Sequence, residues 1–275
     1  MAGSGTLRWT FRKEEAMALL DQVTSGREKR PRRIMLYGVQ GIGKSTWAAQ
    51  APAPVFVQTE DGLGDIDTTK FPVATTFDDV MGSISSLYTE RHSYQTVVVD
   101  SLDWMERLIW AEVCKEQNVK SIDAIGYGKG FGFALSHWND FLPGISALRD
   151  DKGMMAILIA HSKIERFEDP TSDAYDRYSP RIHKTAAHLI QEWADESLFA
   201  HHRVLTRQAG DGLHKKTKGI GTGERIISTQ EQAAHQAKNR LNLPPELPLE
   251  WEAYAQFLNG IKVKKAANGG QKGKV

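Results

Sequence analysis

Residues 33–46 read RIMLYGVQGIGKST, and this stretch is the strongest indication of the fold. The apolar run at its start, which stops at a glycine, is typical of a buried strand, and STWAAQ from residue 45 onward predicts a helix that ends before Pro52. Between them, residues 38–45 fit the pattern G-x-x-x-x-G-K-[ST] in full. In such a loop the backbone N–H groups surround phosphate groups, the lysine reaches the β- and γ-phosphates, and the hydroxyl binds Mg²⁺. The sequence therefore predicts a nucleotide site.

The predicted nucleotide-binding residues belong to this loop and to the first turn of the helix after it. Lys44 is also expected to act in catalysis, and Ser45 is expected to bind Mg²⁺. The full set is Gly38, Val39, Gln40, Gly41, Ile42, Gly43, Lys44, Ser45 and Thr46.

Further apolar runs follow the loop, and helical patterns lie between them. The strands are predicted at residues 54–59, 96–100, 154–160 and from 196 onward, and the helices at about 76–88, 101–117, up to 150, and 184–194. Strands that alternate with helices predict an α/β fold, in which a mostly parallel central sheet is flanked by helices on both faces.

Three chemically active side chains stand at the ends of predicted strands. Asp100 ends VVVD, where a carboxylate can hold Mg²⁺, and Glu60 follows VFVQT, where a carboxylate can orient and deprotonate an attacking water. His161 ends ILIAH and can hydrogen-bond the γ-phosphate. The carboxyl ends of parallel strands meet at the ligand crevice, so we expect these groups beside the phosphate loop. Asp61 is the alternative to Glu60 as the base.

Composition excludes several classes of protein. The chain has 275 residues and a net charge of +1, which is typical of an ordinary folded protein and gives no global argument for nucleic acid. Its one cysteine, Cys114, excludes a disulfide framework and a multi-cysteine zinc site. No apolar run is long enough to span a bilayer, so the sequence predicts a cytoplasmic protein with no membrane partner.

Basic residues are concentrated in three places, at residues 27–33, at 214–218 and from 262 onward, which keeps a polyanionic partner possible. The predicted organisation is an N-terminal helix with a basic linker at residues 1–32, an ATPase core at 33–261, and a disordered Lys/Gly-rich tail at 262–275.

Four segments resemble the RecA-type ATPases, and among these the shortened phage versions that act in single-strand annealing or recombination. GVQGIGKS resembles the P-loop, and VFVQTEDGL resembles the strand that ends in a catalytic glutamate. VVVDSLDWM resembles the Walker B strand, which continues with Asp-Ser rather than with the Asp-Glu of AAA-type ATPases. AKNRLNLPP, at residues 237–245, resembles a segment whose basic residues reach the ATP of a neighbouring subunit.

The resemblance implies a RecA-like P-loop NTPase fold, with ATP and Mg²⁺ as cofactors and with Glu60, Lys44 and His161 as catalytic residues. It further implies that Lys238 and Arg240 contact ATP in trans, and therefore that the chain forms a homo-oligomer, either a ring or a filament. One departure from the RecA recombinases is His161, because they usually carry glutamine or asparagine at that position.

In the family, two segments near the assembly axis bind single-stranded DNA. The first is expected at residues 118–131. The second is expected in a loop of about twenty residues at 162–184, where cations can track phosphates and rings can stack on bases. The expected DNA-binding residues are Lys120, Lys129, Lys163, Arg166, Phe167, Arg177, Tyr178 and Arg181.

These features predict a DNA-stimulated ATPase of phage-type homologous recombination or strand annealing, made by a phage in a bacterial host. Single-stranded DNA is the expected partner, and a single-strand-binding protein is a further candidate. Two alternatives stay open at this point: an ATPase that acts on protein partners, such as a helicase loader or regulatory ATPase, and a small-molecule kinase. An ATPase rate that does not change when DNA is added would favour the first, and stimulation of that rate by a phosphate acceptor would favour the second.

Overall fold

A computed structural model describes residues 23–26, 30–168, 173–209 and 216–258 of the chain. The chain divides into two compact units, Met1–Arg30 and Pro31–Val275, and the elements described below belong to the second. The predicted N-terminal helix and the Lys/Gly-rich tail lie almost entirely outside the described residues. No helix in the described part of the chain is both long enough and apolar enough to cross a membrane.

A mixed sheet forms the centre of the fold, in the order β3-β2-β4-β5-β1-β7-β8-β9. The pairs from β3 to β7 are parallel, and β8 and β9 extend the sheet antiparallel. The strands are β1 Arg33–Gly38, β2 Pro54–Gln58, β3 Thr69–Lys70, β4 Thr96–Asp100, β5 Met155–Phe167, β6 Tyr175–Pro180, β7 Glu196–Ala209, β8 Lys216–Ser228 and β9 Glu246–Pro248.

Helices cover both faces of this sheet. They are α1 Lys44–Ala49, α2 Phe77–Thr89, α3 Leu102–Glu116, α4 Lys129–Lys152, α5 Lys184–Trp193 and α6 Trp251–Leu258. One face packs against α1 and α6 through Trp47, Trp251 and Tyr254, and the other packs against α2, α3, α4 and α5. Because both faces are covered, β1 and β4 are buried along almost their whole length. The predicted α/β class, with a mostly parallel sheet between helices, is confirmed.

The prediction of a long irregular loop at residues 162–184 is wrong. In the structure β5 runs through His161 without a break and pairs antiparallel with β6, from Ser162 opposite Pro180 to Phe167 opposite Tyr175. These segments form a two-stranded ribbon beyond the main sheet, and a ribbon that faces solvent lacks the apolar pattern by which a buried strand is found. Arg181 follows β6 directly, and its backbone N–H donates to the carbonyl oxygen of His161 at 2.7 Å.

The first predicted DNA segment, residues 118–131, is also more ordered than a loop. A 3-10 turn occupies Ile122–Ala124, and α4 begins at Lys129. Tyr127 lies between them, fully exposed, with a positive φ of 54°. The ring of Phe131 stacks on that of His183 at 4.2 Å, so the end of this segment lies close to the base of the β5–β6 ribbon.

Candidate active site

The carboxyl ends of four parallel strands bring the predicted catalytic groups side by side. Gly38 at the end of β1 is in register with His161 on β5, and Asp100 at the end of β4 is in register with Ile159, two residues before that histidine. Gln58 of β2 is in register with Asp100, which places Glu60 just beyond the edge of the sheet. The P-loop, His161, Asp100 and Glu60 therefore follow the strand order, as parallel sheets require at their ligand crevice.

The P-loop is closed around its lysine. The Lys44 ammonium is buried and donates to the carbonyl oxygens of Gly38 at 3.1 Å and Val39 at 3.0 Å. Burial lowers the pKa of Lys44 to about 8, whereas the negative charges of nearby carboxylates, with Asp100 first, act in the opposite direction. Bound phosphates would add negative charge beside the ammonium and keep it protonated.

Ser45 and Asp100 bring two side-chain oxygen atoms together in the cavity beside the P-loop. The Ser45 hydroxyl donates to Asp100 Oδ2 at 2.5 Å. Burial raises the pKa of Asp100, and the Ser45 hydrogen bond and the Lys44 charge oppose that shift. A buried carboxylate beside a hydroxyl in a polar cavity is a donor set that suits Mg²⁺, which prefers oxygen ligands and retains several waters. These two residues would hold the ion.

Glu60 faces the same cavity, which has a volume of about 350 Å³. Its Oε1 accepts a hydrogen bond from the Ser101 hydroxyl at 2.7 Å and lies 4.0 Å from His161 Nδ1. Asp61 also lines the cavity, so the alternative base stays near the site. The other lining groups include Gln40, Gly41, Gly43, Lys44, Ser45, Thr46, Asp100 and His161.

Ile42 and Gly38 fix the P-loop against the rest of the fold. The side chain of Ile42 is fully buried in the core under α1, and its carbonyl oxygen is 3.4 Å from Nη1 of Arg225, which comes from β8. Gly38 packs so tightly that a Cβ there would lie 2.1 Å from the carbonyl oxygen of Ala200. Arg225 was not found by sequence reasoning, because nothing in its local sequence links β8 to the P-loop.

Asp103 is the second residue that sequence reasoning missed. Its side chain is buried in the first turn of α3 and accepts from His161 Nδ1, from the His161 backbone N–H and from Arg181. Burial alone would raise the pKa of Asp103, but the hydrogen bonds from His161 and Arg181 hold it well below its usual range. Its position three residues after Asp100 was the available signal, since both carboxylates then stand at the same end of β4.

Lys238 and Arg240 lie near the amino end of β7, whereas the P-loop lies at the carboxyl ends of the strands. Lys238 pairs with Ser197, near the start of β7, and its ammonium donates to three carbonyl oxygens at the end of α5, at 2.8 to 3.2 Å. Arg240 Nη1 is 3.1 Å from Asp195 Oδ1. Neither residue is therefore placed to contact the ATP of its own chain, and the contact in trans stays a prediction.

The expected DNA-binding residues fall into two groups. Lys120, Lys129 and Arg166 are exposed, and Lys163 is half-buried with its ammonium on the carbonyl oxygen of Ile182. The other residues face the protein. Phe167 packs on Tyr175 and Arg177, Arg177 is buried and ion-paired with Glu231, Tyr178 stacks on Phe199, and Arg181 binds Asp103. DNA binding by these residues stays a prediction.

The family described as an AAA domain matches residues 30–241, which hold the P-loop, Glu60, Asp100 and His161. No curated protein sequence matches that of this chain. The matched region spans most of the chain and all the parallel strands, and the site at their carboxyl ends has the geometry of a P-loop NTPase. The chain therefore belongs to the AAA domain family, whose members are nucleotide-binding ATPases of the P-loop type.

Proposed function

We propose that this chain is a RecA-like, Mg²⁺-dependent ATPase that acts on single-stranded DNA in phage-type recombination or strand annealing. One observation carries the proposal. Strand β5 brings His161 into the nucleotide site and then continues directly into the ribbon that holds Lys163, Arg166 and Phe167. A change at the nucleotide can therefore reach the predicted DNA contacts along a single strand.

Hydrolysis would use groups already in place. Glu60 takes a proton from a water molecule, the water oxygen bonds to the γ-phosphorus, and the bond from that phosphorus to the bridging oxygen breaks, which releases ADP. Lys44 stabilises the negative charge on the phosphate oxygens. A magnesium ion on Ser45 and Asp100 would supply further neutralisation of that charge.

The exposed groups near the ribbon support a single strand as the ligand. Tyr127 offers a fully exposed ring in a turn next to Lys129, and Arg166 offers a cation on the ribbon. The stacked rings of Phe131 and His183 hold these two segments near each other. Rings that can stack on bases, next to cations that can track phosphates, are the usual means of binding single strands.

The proposal includes a homo-oligomer, in which ATP lies between neighbouring copies. Lys238 and Arg240 would then approach the ATP of the next copy and make hydrolysis depend on assembly. A single-strand-binding protein is proposed as a further partner at the DNA.

The test is the ATPase rate with and without single-stranded DNA, at low and at moderate salt. We expect stimulation that weakens as salt rises, because phosphate contacts release counterions. Lys44→Ala should abolish nucleotide binding and serves as the blank. Glu60→Gln should bind ATP normally and lose about 100-fold or more in turnover. An ATPase rate that does not change with DNA, together with no DNA binding in the presence of ATP, would contradict the proposal. It would favour an ATPase that acts on protein partners.

A further inference from the structure

Asp103, His161 and Arg181 form a cluster at the edge of the nucleotide cavity, and each residue comes from a different element. Asp103 lies in the first turn of α3, His161 lies on β5, and Arg181 follows β6. Both carboxylate oxygens of Asp103 lie 3.1 Å from His161 Nδ1, and Arg181 Nη2 donates to Oδ2 at 2.6 Å. Of the three, only His161 lines the cavity.

The contacts of Asp103 determine which ring nitrogen of His161 carries the proton. The Asp103 side chain is only 2% exposed and already accepts the His161 backbone N–H at 3.0 Å and Arg181 Nε at 3.2 Å. An ionised carboxylate can only accept hydrogen bonds, so His161 Nδ1, beside both of its oxygens, must be a donor. Arg181 Nη2 also lies 3.3 Å from Nδ1, but it donates to Asp103 Oδ2 at the shorter distance of 2.6 Å.

Arg181 also balances the charge of this cluster. Its guanidinium holds Asp103 through two nitrogen atoms, so this pair adds no net charge beside the ring, and Glu60, whose Oε1 lies 4.0 Å from Nδ1, is the other carboxylate near it. A neutral ring with a proton on Nδ1 leaves Nε2 as a hydrogen-bond acceptor. Within the described residues, Nε2 has no protein partner at hydrogen-bond distance.

We propose that Asp103 and Arg181 are positioning residues that hold His161 neutral with its proton on Nδ1, so that Nε2 accepts a hydrogen bond from the attacking water. This rests on the ATPase mechanism proposed above and changes the expected role of His161, because a ring in this state cannot donate to the γ-phosphate. The ring would orient the water while Glu60, whose Oε1 is 4.0 Å from Nδ1, removes its proton.

The test combines a spectroscopic measurement with kinetics on the full-length chain. ¹⁵N NMR of histidine-labelled protein, with His161→Gln to assign the signal, should show a protonated Nδ1 and an unprotonated Nε2. Asp103→Asn places an amide N–H₂ opposite the ring and should move the proton to Nε2. We expect kcat to fall by about 100-fold with a much smaller change in KM for ATP, because the tautomer affects the attacking water and not nucleotide binding.

Arg181→Gln tests the same arrangement at an exposed residue, where loss of folding is not expected. It should lower kcat by about tenfold, and Arg181→Lys, which keeps the charge, should restore part of that loss. Asp140→Asn removes one exposed carboxylate on α4 and should change neither the ring signal nor kcat. Thermal unfolding of each variant checks that the fold is intact.

Three outcomes would overturn the proposal: a wild-type ring protonated on Nε2 or on both nitrogens, an Asp103→Asn variant with an unchanged tautomer, or a changed tautomer with an unchanged kcat. If the wild-type chain hydrolyses no ATP, both the proposed ATPase mechanism and the proposed role of His161 in orienting the attacking water are wrong. The ring measurement would still show whether Asp103 fixes the proton on Nδ1.

Discussion

At the scale of single residues, the first glycine of the P-loop is required by packing as well as by phosphate. β1 and β7 are in register at Gly38 and Ala200, and the carbonyl oxygen of Ala200 occupies the place where a side chain at residue 38 would begin. Such a contact can be relieved only by moving backbone, because no flexible side chain is involved.

Gly38→Ala should therefore lower the free energy of unfolding by about 1–3 kcal/mol, the usual cost of overpacking. The matched control is Gly82→Ala in α2, where a Cβ meets nothing within 4 Å. That change should raise stability by about 0.5–1 kcal/mol, because alanine favours the helix. Chemical denaturation of both variants without nucleotide measures the effects, and equal stability of the two would contradict the packing argument.

Glu106 makes stability depend on pH. It is buried in α3, where its two oxygens accept the backbone N–H of His183 at 2.9 and 3.0 Å. Burial raises the pKa of Glu106 from 4.5 to about 7, although the His183 hydrogen bond opposes the shift. Between these two values the folded chain holds a proton that the unfolded chain has lost. Stability therefore falls as pH rises through this window and stays low above it.

Glu106→Gln keeps an acceptor for His183 and carries no charge at any pH. It should be more stable than the wild type by on the order of 2 kcal/mol at pH 8, and the difference should nearly vanish at pH 4, below both pKa values. Denaturation curves at the two pH values measure this, with Glu112→Gln on the same helix as the control for losing one carboxylate. A difference that does not depend on pH would contradict the assignment.

At the scale of elements, the β5–β6 ribbon is the least expected part of the fold. Strands within the sheet were predictable because β1, β4 and the first half of β5 are nearly continuous apolar runs, and helices on both faces exclude water from them. The second half of β5 reads SKIERF, and polar residues there could not be told from a loop. Asp100 was predictable as a strand end, and Glu60 and His161 were predictable because they follow apolar runs, although β5 continues past His161. Asp103 and Arg181 meet them only through tertiary packing.

The ribbon also gives a quantitative test of the proposed DNA contact. Arg166 is exposed on β5, and each phosphate contact to a single strand contributes about 0.7 to the slope of log K against log salt. Arg166→Ala should reduce the magnitude of that slope by about 0.7 in fluorescence anisotropy titrations. Lys115→Ala, which removes an exposed cation on α3, is the control and should leave the slope unchanged. An unchanged slope for Arg166→Ala would show that Arg166 does not contact a DNA phosphate.

At the scale of the whole molecule, the P-loop and the two residues proposed to contact ATP in trans lie toward different ends of neighbouring strands. The P-loop stands at the carboxyl ends of the strands, and Lys238 and Arg240 stand near the amino end of β7. In a stack of copies with the same orientation, the P-loop of one copy would face the amino end of β7 of the next. Within one chain, Arg240 meets Asp195, and a neighbour's phosphates would compete with that carboxylate.

Mixing two inactive variants tests this arrangement. Glu60→Gln lacks the proposed base, and Arg240→Ala lacks the proposed contact in trans. If both belong to one composite site, random mixing should restore activity at about a quarter of the sites, because a copy with intact Glu60 then meets a neighbour with intact Arg240. ATPase assays of the mixture at several ratios measure the recovery. A mixture that is no more active than the two separate variants would indicate that Glu60 and Arg240 do not form a composite site between subunits.

The uninterrupted course of β5 has a mechanical consequence. His161 is the middle residue of a 13-residue strand, with six residues held in the sheet before it and six in the ribbon after it. At about 3.3 Å per residue, Phe167 stands about 20 Å from that midpoint. A 10° change in the strand's direction at His161 would carry Phe167 through about 3.5 Å, close to the spacing of stacked bases. If single-stranded DNA lies on the ribbon as proposed, a small motion at the nucleotide would displace the far end of the strand by about the spacing of one base.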